Sequence, residues 1–396
     1  MTPYLSTINT LFGTNQFFII STTISNDTVF YFNPTQLLLP TANITSNITN
    51  YNNIIRIAIN GAITNIPDYC FTGCSNLISL SLPLISSISN NSFKSCTKLQ
   101  TISLPSIISI GDYAFSNCTI LQTVSLPVVT TLGQYSFSNT KLQTISFPRV
   151  TTIYNNAFDT TNLTSFAIPQ TIISLGANVF NNCDKLTTIT FPTTSTTYTI
   201  IGDNTFNNTI GLKSIVIPSY ITSIGTSDGA GGSFSNCISL ESVTLPQTIT
   251  FIATSTFSNC TSLKSIILPT NTNYTHISDS LLYNCSSLTS IVLPSNITTI
   301  GHNAFAKCTS LILLILTNNI ISIDITFIDY DTELVTIFST AYSNYNNEII
   351  TTINNDLSTH NLNSAIKLTG QRIPPEHAYN AFTNADILLW FYAYWD

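Results

Sequence analysis

The chain has 396 residues, of which 43% are hydrophobic and only 7% charged, against roughly 25% charged in ordinary globular chains. Eleven Lys plus Arg against 18 Asp plus Glu leave a net charge of −7, the wrong sign and density for holding a phosphate backbone, which argues against nucleic acid as a partner. No apolar run approaches the roughly 18 residues that a membrane-spanning helix needs, and the stretch Ile387 to Tyr394 is far too short.

The first 25 residues hold the apolar patch Phe17, Phe18, Ile19 and Ile20 with no basic residue ahead of it, so they do not read as a signal peptide. With no anchor evident either, an intracellular or virion-associated location is favoured over the cell surface. Phe30, Tyr31, Phe32 and the run Leu37-Leu38-Leu39-Pro40 are expected to pair as irregular strands ahead of a first regular strand at Ile54 to Ile59. Residues 1–53 therefore read as an N-terminal cap.

From there a large apolar residue recurs at intervals of 21 to 28 residues: Phe71, Phe93, Phe115, Phe137, Phe158, Phe180, Phe206, Phe234, Phe257, Leu282 and Phe305. A period near 22 means stacked coils that bury their apolar residues only against their neighbours. In the third coil Leu121, Val124 and Leu126 have the spacing of a short strand with alternate residues turned inward, and Pro127 ends it, since a residue without an N–H suits a corner. The apolar pair Val129/Leu132 follows, repeated as Ile107/Ile110, Val150/Ile153, Ile221/Ile224 and Ile297/Ile300. Gly111, Gly133, Gly176, Gly202, Gly225 and Gly301 then offer a backbone free to take positive φ at a second corner. Asp68, Asn90, Asp112, Asn155, Asp203, Thr254 and Asp279, three residues before the anchors, are helix N-cap types and predict a short helical turn carrying each anchor inward. Asn117, Asn139, Asn182, Asn208, Asn236, Asn259 and Asn284, two residues after the anchors, suit a left-handed exit.

Eight of the nine cysteines occupy one column three residues after the anchor, where Thr140, Thr161 and Thr209 stand in other coils. That exchange reads as buried structural thiols rather than metal ligands. Cys70 lies outside the column, is expected to point outward, and is the candidate reactive thiol.

Alternate strand residues should tile an exposed sheet face. They begin as hydroxyls, Ser79/Ser81, Thr101/Ser103, Thr123/Ser125 and Thr144/Ser146. Later they become Ser214/Val216, Ser242/Thr244, Ser265/Ile267, Ser290/Val292 and Leu313/Ile315, so one outward column turns apolar in four of the last five coils, at Val216, Ile267, Val292 and Ile315. The period is stretched at Thr193 to Thr199, Thr226 to Gly232 and Thr270 to His276, all between the Pro corner and the anchor, which predicts a lip on one side of the stack. Tyr198, Asp228, Tyr274 and His276 are its candidate contact residues.

From Thr317 the repeat fails; Ile320, Ile321, Ile323, Ile325 and Phe327 alternate as a terminal strand, followed by Glu333 to Phe338. Residues 317–396 thus read as a C-terminal cap and an aromatic tail, whose Trp390, Tyr392 and Trp395 either pack on the cap or dock a partner. His276, His302, His360 and His377 show no metal-ligand spacing, and there is no nucleophile elbow or phosphate loop. Neither catalytic residues, metal nor cofactor is expected.

The run Ile-x-x-Ile-Gly-x-x-Ala-Phe-x-x-Cys-x-x-Leu, intact from Ile297 and repeated with Leu-Pro at its end from Ile107 to Pro127, resembles the BspA-like leucine-rich repeat. The resemblance covers roughly residues 54–316. It implies an α/β repeat solenoid: a curved leucine-rich-repeat stack with a parallel sheet of short strands, short helical turns and a cap at each end. It also implies adhesion or protein interaction rather than catalysis, with a protein partner or a particle surface as the ligand. The alternative is a structural or decoration component of a virion or other particle, attached through the aromatic tail. Oligomeric state is left open.

Overall fold

A three-residue run such as Thr101-Ile102-Ser103 cannot satisfy its own backbone, so its N–H and C=O groups need partners in the equivalent run of the neighbouring repeats. The computed structural model describes residues 17–21, 30–32, 56–60, 64–82, 84–194, 197–227, 231–316, 322–323, 336–339 and 368–369. In it Ser79–Ser81, Thr101–Ser103, Thr123–Ser125 and Thr144–Ser146 pair in parallel, with Ser79, Thr101, Thr123 and Thr144 in register. A second parallel sheet of two-residue strands runs from Asn65–Ile66 through Ser109–Ile110 and Thr131–Leu132 to Ser174–Leu175. Pro105 and Pro127 stand after the first strand of their coils, Gly111 and Gly133 after the second, as corner columns should. Leu121, Val124, Leu126, Val129 and Leu132 are all buried, and one continuous core runs from Ile66 to Leu314.

At the N-terminal end Arg56–Asn60 pairs in parallel with Ser79–Ser81 and antiparallel with Phe17–Ser21, which pairs antiparallel with Phe30–Phe32. Leu37 to Leu39 lie outside the described residues. At the other end parallel pairing continues from Leu313–Leu316 to Thr336–Ser339 and on to Leu368–Thr369.

The third side of each coil differs from expectation: among the described residues there is no helix. Two residues before and two after every anchor the backbone is left-handed, as at Tyr113 (57°) and Asn117 (61°) around Phe115, and Asn303 (53°) and Lys307 (59°) around Phe305. The expected left-handed exit is there, but a second left-handed residue ahead of the anchor prevents helical continuation. The chain closes tight turns instead, Ser116 N–H to Tyr113 O at 3.1 Å and Cys118 N–H to Phe115 O at 3.2 Å. The remaining amides donate to the next coil: Tyr113 to Gln134 O at 2.7 Å, Phe115 to Ser136 O at 2.8 Å and Asn117 to Ser138 O at 2.9 Å. The cap-type side chains join in, since Asp68 Oδ1 accepts the Asn90 N–H and Asp112 Oδ1 accepts the Gln134 N–H, both at 2.8 Å. They cap the following coil, not a helix of their own.

The corner glycines also have a different reason from the one expected. Of that column only Gly225 has a positive φ, at 88°. At Gly133 a Cβ would lie 2.5 Å from the Gly111 carbonyl carbon, so the backbones of adjacent coils meet too closely for any side chain.

Both sheets are interrupted between Thr188–Thr190 and Ser214–Val216, and again between Ser265–Ile266 and Ser290–Val292. These seams coincide with the insertions 193–199 and 270–276. The anchor ladder crosses both without a break: Phe180 N–H donates to Thr205 O at 2.9 Å, and Phe257 N–H to Leu281 O at 3.0 Å. The anchor rings stack along it from Phe71 to Phe257 with centroids 5.2 to 5.8 Å apart.

Ser136, directly ahead of Phe137, has a buried Oγ without a hydrogen-bond partner, while Ala114 and Ala157 fill that place in the flanking coils. Ser136→Ala should raise stability by about 1 kcal/mol by removing the desolvated hydroxyl. Phe137→Ala should cost about 3–5 kcal/mol. Urea unfolding followed by circular dichroism checks both.

Candidate interaction surface

Strand alternation turns every second residue of the first sheet to solvent. Thr101, Ser103, Thr123, Ser125, Thr144, Ser146, Thr188 and Thr190 are exposed, and the residues between them point into the core. This half of the face is a hydroxyl ladder. In the three-stranded sheet Ser214–Val216, Ser242–Thr244 and Ser265–Ile266 its character changes. Ser214, Ser242 and Ser265 keep one column polar, whereas Val216 is 66% exposed and Ile267, just past its strand, 49%. A charged row borders these columns: Lys264 Nζ lies 2.7 Å from Glu241 Oε2, and Lys213 stands in the coil before Glu241. The hydrogen bond from Lys264 draws the Glu241 carboxyl below its usual range. Exposed aliphatic, hydroxyl and paired charge thus sit side by side on one rigid face.

The sequence-derived candidates divide among several environments. Val216 and Ile267 lie on this face; Val292 and Ile315 are only half-buried continuations of it, and Leu313, also expected outward, is 4% exposed. His276 belongs to the second sheet, where its Nδ1 is 2.5 Å from Thr299 Oγ1 across the pairing of His276–Ile277 with Thr299–Ile300. Tyr198 and Tyr274 are buried, not exposed on a lip. Each sits three residues before a second-strand isoleucine, Ile201 or Ile277, the place that Ile221 holds relative to Ile224. The insertions therefore restore the inward apolar pair with tyrosine as its first member. Burial pushes both phenols well above their ordinary range. Nor do the insertions share one angular position: 193–199 lies between the two sheets and 270–276 runs from there into the second-sheet strand at His276, whereas 226–232 follows the second strand, Ser223–Ile224. Asp228, Trp390, Tyr392 and Trp395 lie outside the described residues.

The cysteine column is structural. Cys118 Sγ donates to Phe93 O at 3.3 Å, Cys183 to Phe158 O at 3.1 Å and Cys237 to Phe206 O at 3.2 Å, each reaching the anchor carbonyl of the coil before. Thr209 Oγ1 makes the same bond to Phe180 O at 3.3 Å, whereas Thr140 Oγ1 donates to the anchor carbonyl of its own coil, Phe137 O, at 2.9 Å. All nine thiols are free and buried. Cys70 is a correction: it is 5% exposed, and burial raises its thiol pKa, so it lacks the exposed, electropositive setting of a reactive thiol. Among the described residues no group of three or more His, Cys, Asp or Glu could hold a metal ion, and no helix is long and apolar enough to cross a membrane.

Two parallel sheets on a stacked anchor column, with one open sheet face, define a leucine-rich-repeat solenoid. The model of the BspA type leucine rich repeat region matches residues 42–160, 151–229 and 230–355, and the chain belongs to this family. Among solved structures, the pneumococcal vaccine antigen PcpA is 20% identical with a TM-score of 0.52, the match covering 74% of this chain and 79% of that one. A leucine-rich repeat protein of Bacteroides ovatus is 22% identical over 72% of this chain and 89% of its own, TM-score 0.47. A leucine rich cell surface protein of Faecalibacterium prausnitzii is 27% identical over 66% of this chain and 89% of its own, TM-score 0.41. No curated protein matches the sequence.

Burial pushes the Cys183, Cys237 and Cys308 thiols from an ordinary 9.0 up to about 12. In the unfolded chain these thiols ionise near their ordinary value, so their contribution to stability is complete below that pH and is lost as pH rises toward 12. Each thiol then steepens the decline by up to about 1.4 kcal/mol per pH unit. The thermal midpoint should therefore fall between pH 8.5 and 11 (roughly the window set by the unfolded thiol), and Cys237→Thr should flatten the fall. A midpoint independent of pH in that range contradicts the assignment.

Proposed function

We propose that the protein is a non-catalytic protein-interaction or adhesion module that binds its partner on the open face of the first sheet. The observation that carries this reading is the pair Val216 and Ile267, exposed large aliphatics in a column that is hydroxyl or alanine in the preceding coils. Desolvating them gains about 25 cal/mol per Å² of apolar area, while the neighbouring serines and the Lys264–Glu241 pair supply orientation. Strands packed on a continuous core present this face without rearrangement, which lowers the ordering cost of binding. The description of one structural relative as a cell surface protein, and of another as a vaccine antigen, is in keeping with an adhesive role.

The paired substitution Val216→Asn and Ile267→Asn keeps the strands and removes the apolar column. Capture from host-cell or particle extracts by the intact chain, by this variant and by a chain lacking 376–396 separates face from tail. Partners lost at least tenfold with the face variant and kept without the tail support the proposal. Partners kept by the face variant and lost with the tail overturn it in favour of attachment through Trp390, Tyr392 and Trp395.

A further inference from the structure

The turn side of the solenoid carries a second departure from the repeat. Two residues before the anchor the backbone is left-handed in every coil, and eight of the eleven coils place Asn, Ser or Gly there, among them Asn91, Asn156, Gly232 and Ser255. Tyr69, Tyr113 and Tyr135 hold the same conformation at φ of 58°, 57° and 53°. A left-handed backbone crowds a bulky side chain's Cβ against the carbonyl oxygen, whereas Asn and Gly reach it readily. At this position tyrosine is confined to the first four coils; Thr160 (58°) and Lys307 (59°) are left-handed at the exit position elsewhere, so it is the placing of aromatic rings together on one side that points to a use.

These side chains are available. Tyr69 is 57% exposed, Tyr113 and Tyr135 are half-buried, and Tyr154, ahead of Phe158 in the fifth coil, is 48% exposed. The rings of Tyr113 and Tyr135 stack with centroids 4.8 Å apart, and Lys94 Nζ lies 4.8 Å over Tyr113. Coil order leaves the other face of Tyr135 turned toward the short Asn156. The side chains of Asn91, Gln134 and Asn156, and the hydroxyls of all three tyrosines, make no hydrogen bond among the described residues. Asp68 and Asp112 are engaged by backbone N–H groups, and Asp159 by Asn181 and Asn182. Among the described residues Lys94 is the one cation placed over these rings.

We propose that the tyrosine column binds a neutral polysaccharide. The C–H face of a pyranose ring packs on an exposed tyrosine face, and its hydroxyls find both donors and acceptors in the uncommitted amides. A proline-rich peptide, the other ligand that aromatic surfaces favour, docks into a groove between rings. Here one ring face is presented beside a short amide.

Affinity electrophoresis of the full chain through gels holding soluble starch, dextran or a β-1,3-glucan tests this, with poly-L-proline in a parallel gel. At least one glucan should retard the protein, and Tyr69→Asn and Tyr135→Asn should each weaken that retention at least tenfold. Asn is the residue other coils use at this position, so both variants should melt no lower than the parent, and the loss cannot be assigned to unfolding. Val216→Asn, on the sheet face, should leave retention unchanged. Retardation by none of the glucans, retention unaltered by both tyrosine substitutions, or retardation by poly-L-proline alone would overturn the proposal.

Discussion

The structure depends on the backbone ladder that joins each anchor turn to the next. From Phe71 N–H to Ser92 O at 2.7 Å through Leu282 N–H to Ala304 O at 2.9 Å, every anchor amide donates to the following coil. The two left-handed residues flanking each anchor make this possible, because they keep the chain from spending those amides on a helix. Around the ladder the packing is repetitive: phenylalanine on phenylalanine, thiol on anchor carbonyl, asparagine on asparagine as in Asn259 Nδ2 to Asn236 Oδ1 at 2.9 Å. Each link is modest, but they recur along much of the stack, and nearest-neighbour terms add along a solenoid.

This arrangement explains how the chain tolerates irregular loops. The insertions 193–199 and 270–276 separate the strands of both sheets, yet the ladder and the core pass through, because Tyr198 and Tyr274 fill the place of the missing aliphatic residues. The third insertion, 226–232, falls on the turn side instead and leaves both sheets paired across it. The other two divide the first sheet into segments, and the segment carrying Val216 and Ile267 is bounded by a seam on each side. The open face and the tyrosine column lie on different sides of the coil and present different chemistry, aliphatic with paired charge on one and aromatic with amide on the other.

Much of this was legible in the sequence, because the period assigns each residue to a column. The anchors, inward strand residues, proline corners and thiol column follow from spacing and residue type alone. What spacing could not supply was backbone handedness. Asp112 ahead of Phe115 has the pattern of a helix N-cap, and only the hydrogen bond to Gln134 N–H shows that it serves the next coil. Gly133 likewise suggested positive φ, when the constraint is an inter-coil contact invisible in one repeat. Tyr198 and Tyr274 lie in insertions when counted from the proline, but they stand three residues before Ile201 and Ile277, a core position. Nor does residue type show that Tyr69, Tyr113 and Tyr135 adopt a left-handed φ.

Native-state amide hydrogen exchange tests the central claim, that the anchor ladder and not the sheets is the continuous element. The ladder account predicts that the amides of Phe180 and Phe257, which bridge the two seams, are protected as strongly as that of Phe115 in the regular part of the stack. Exchange of the Phe180 and Phe257 amides as fast as that of the adjoining insertions would contradict it.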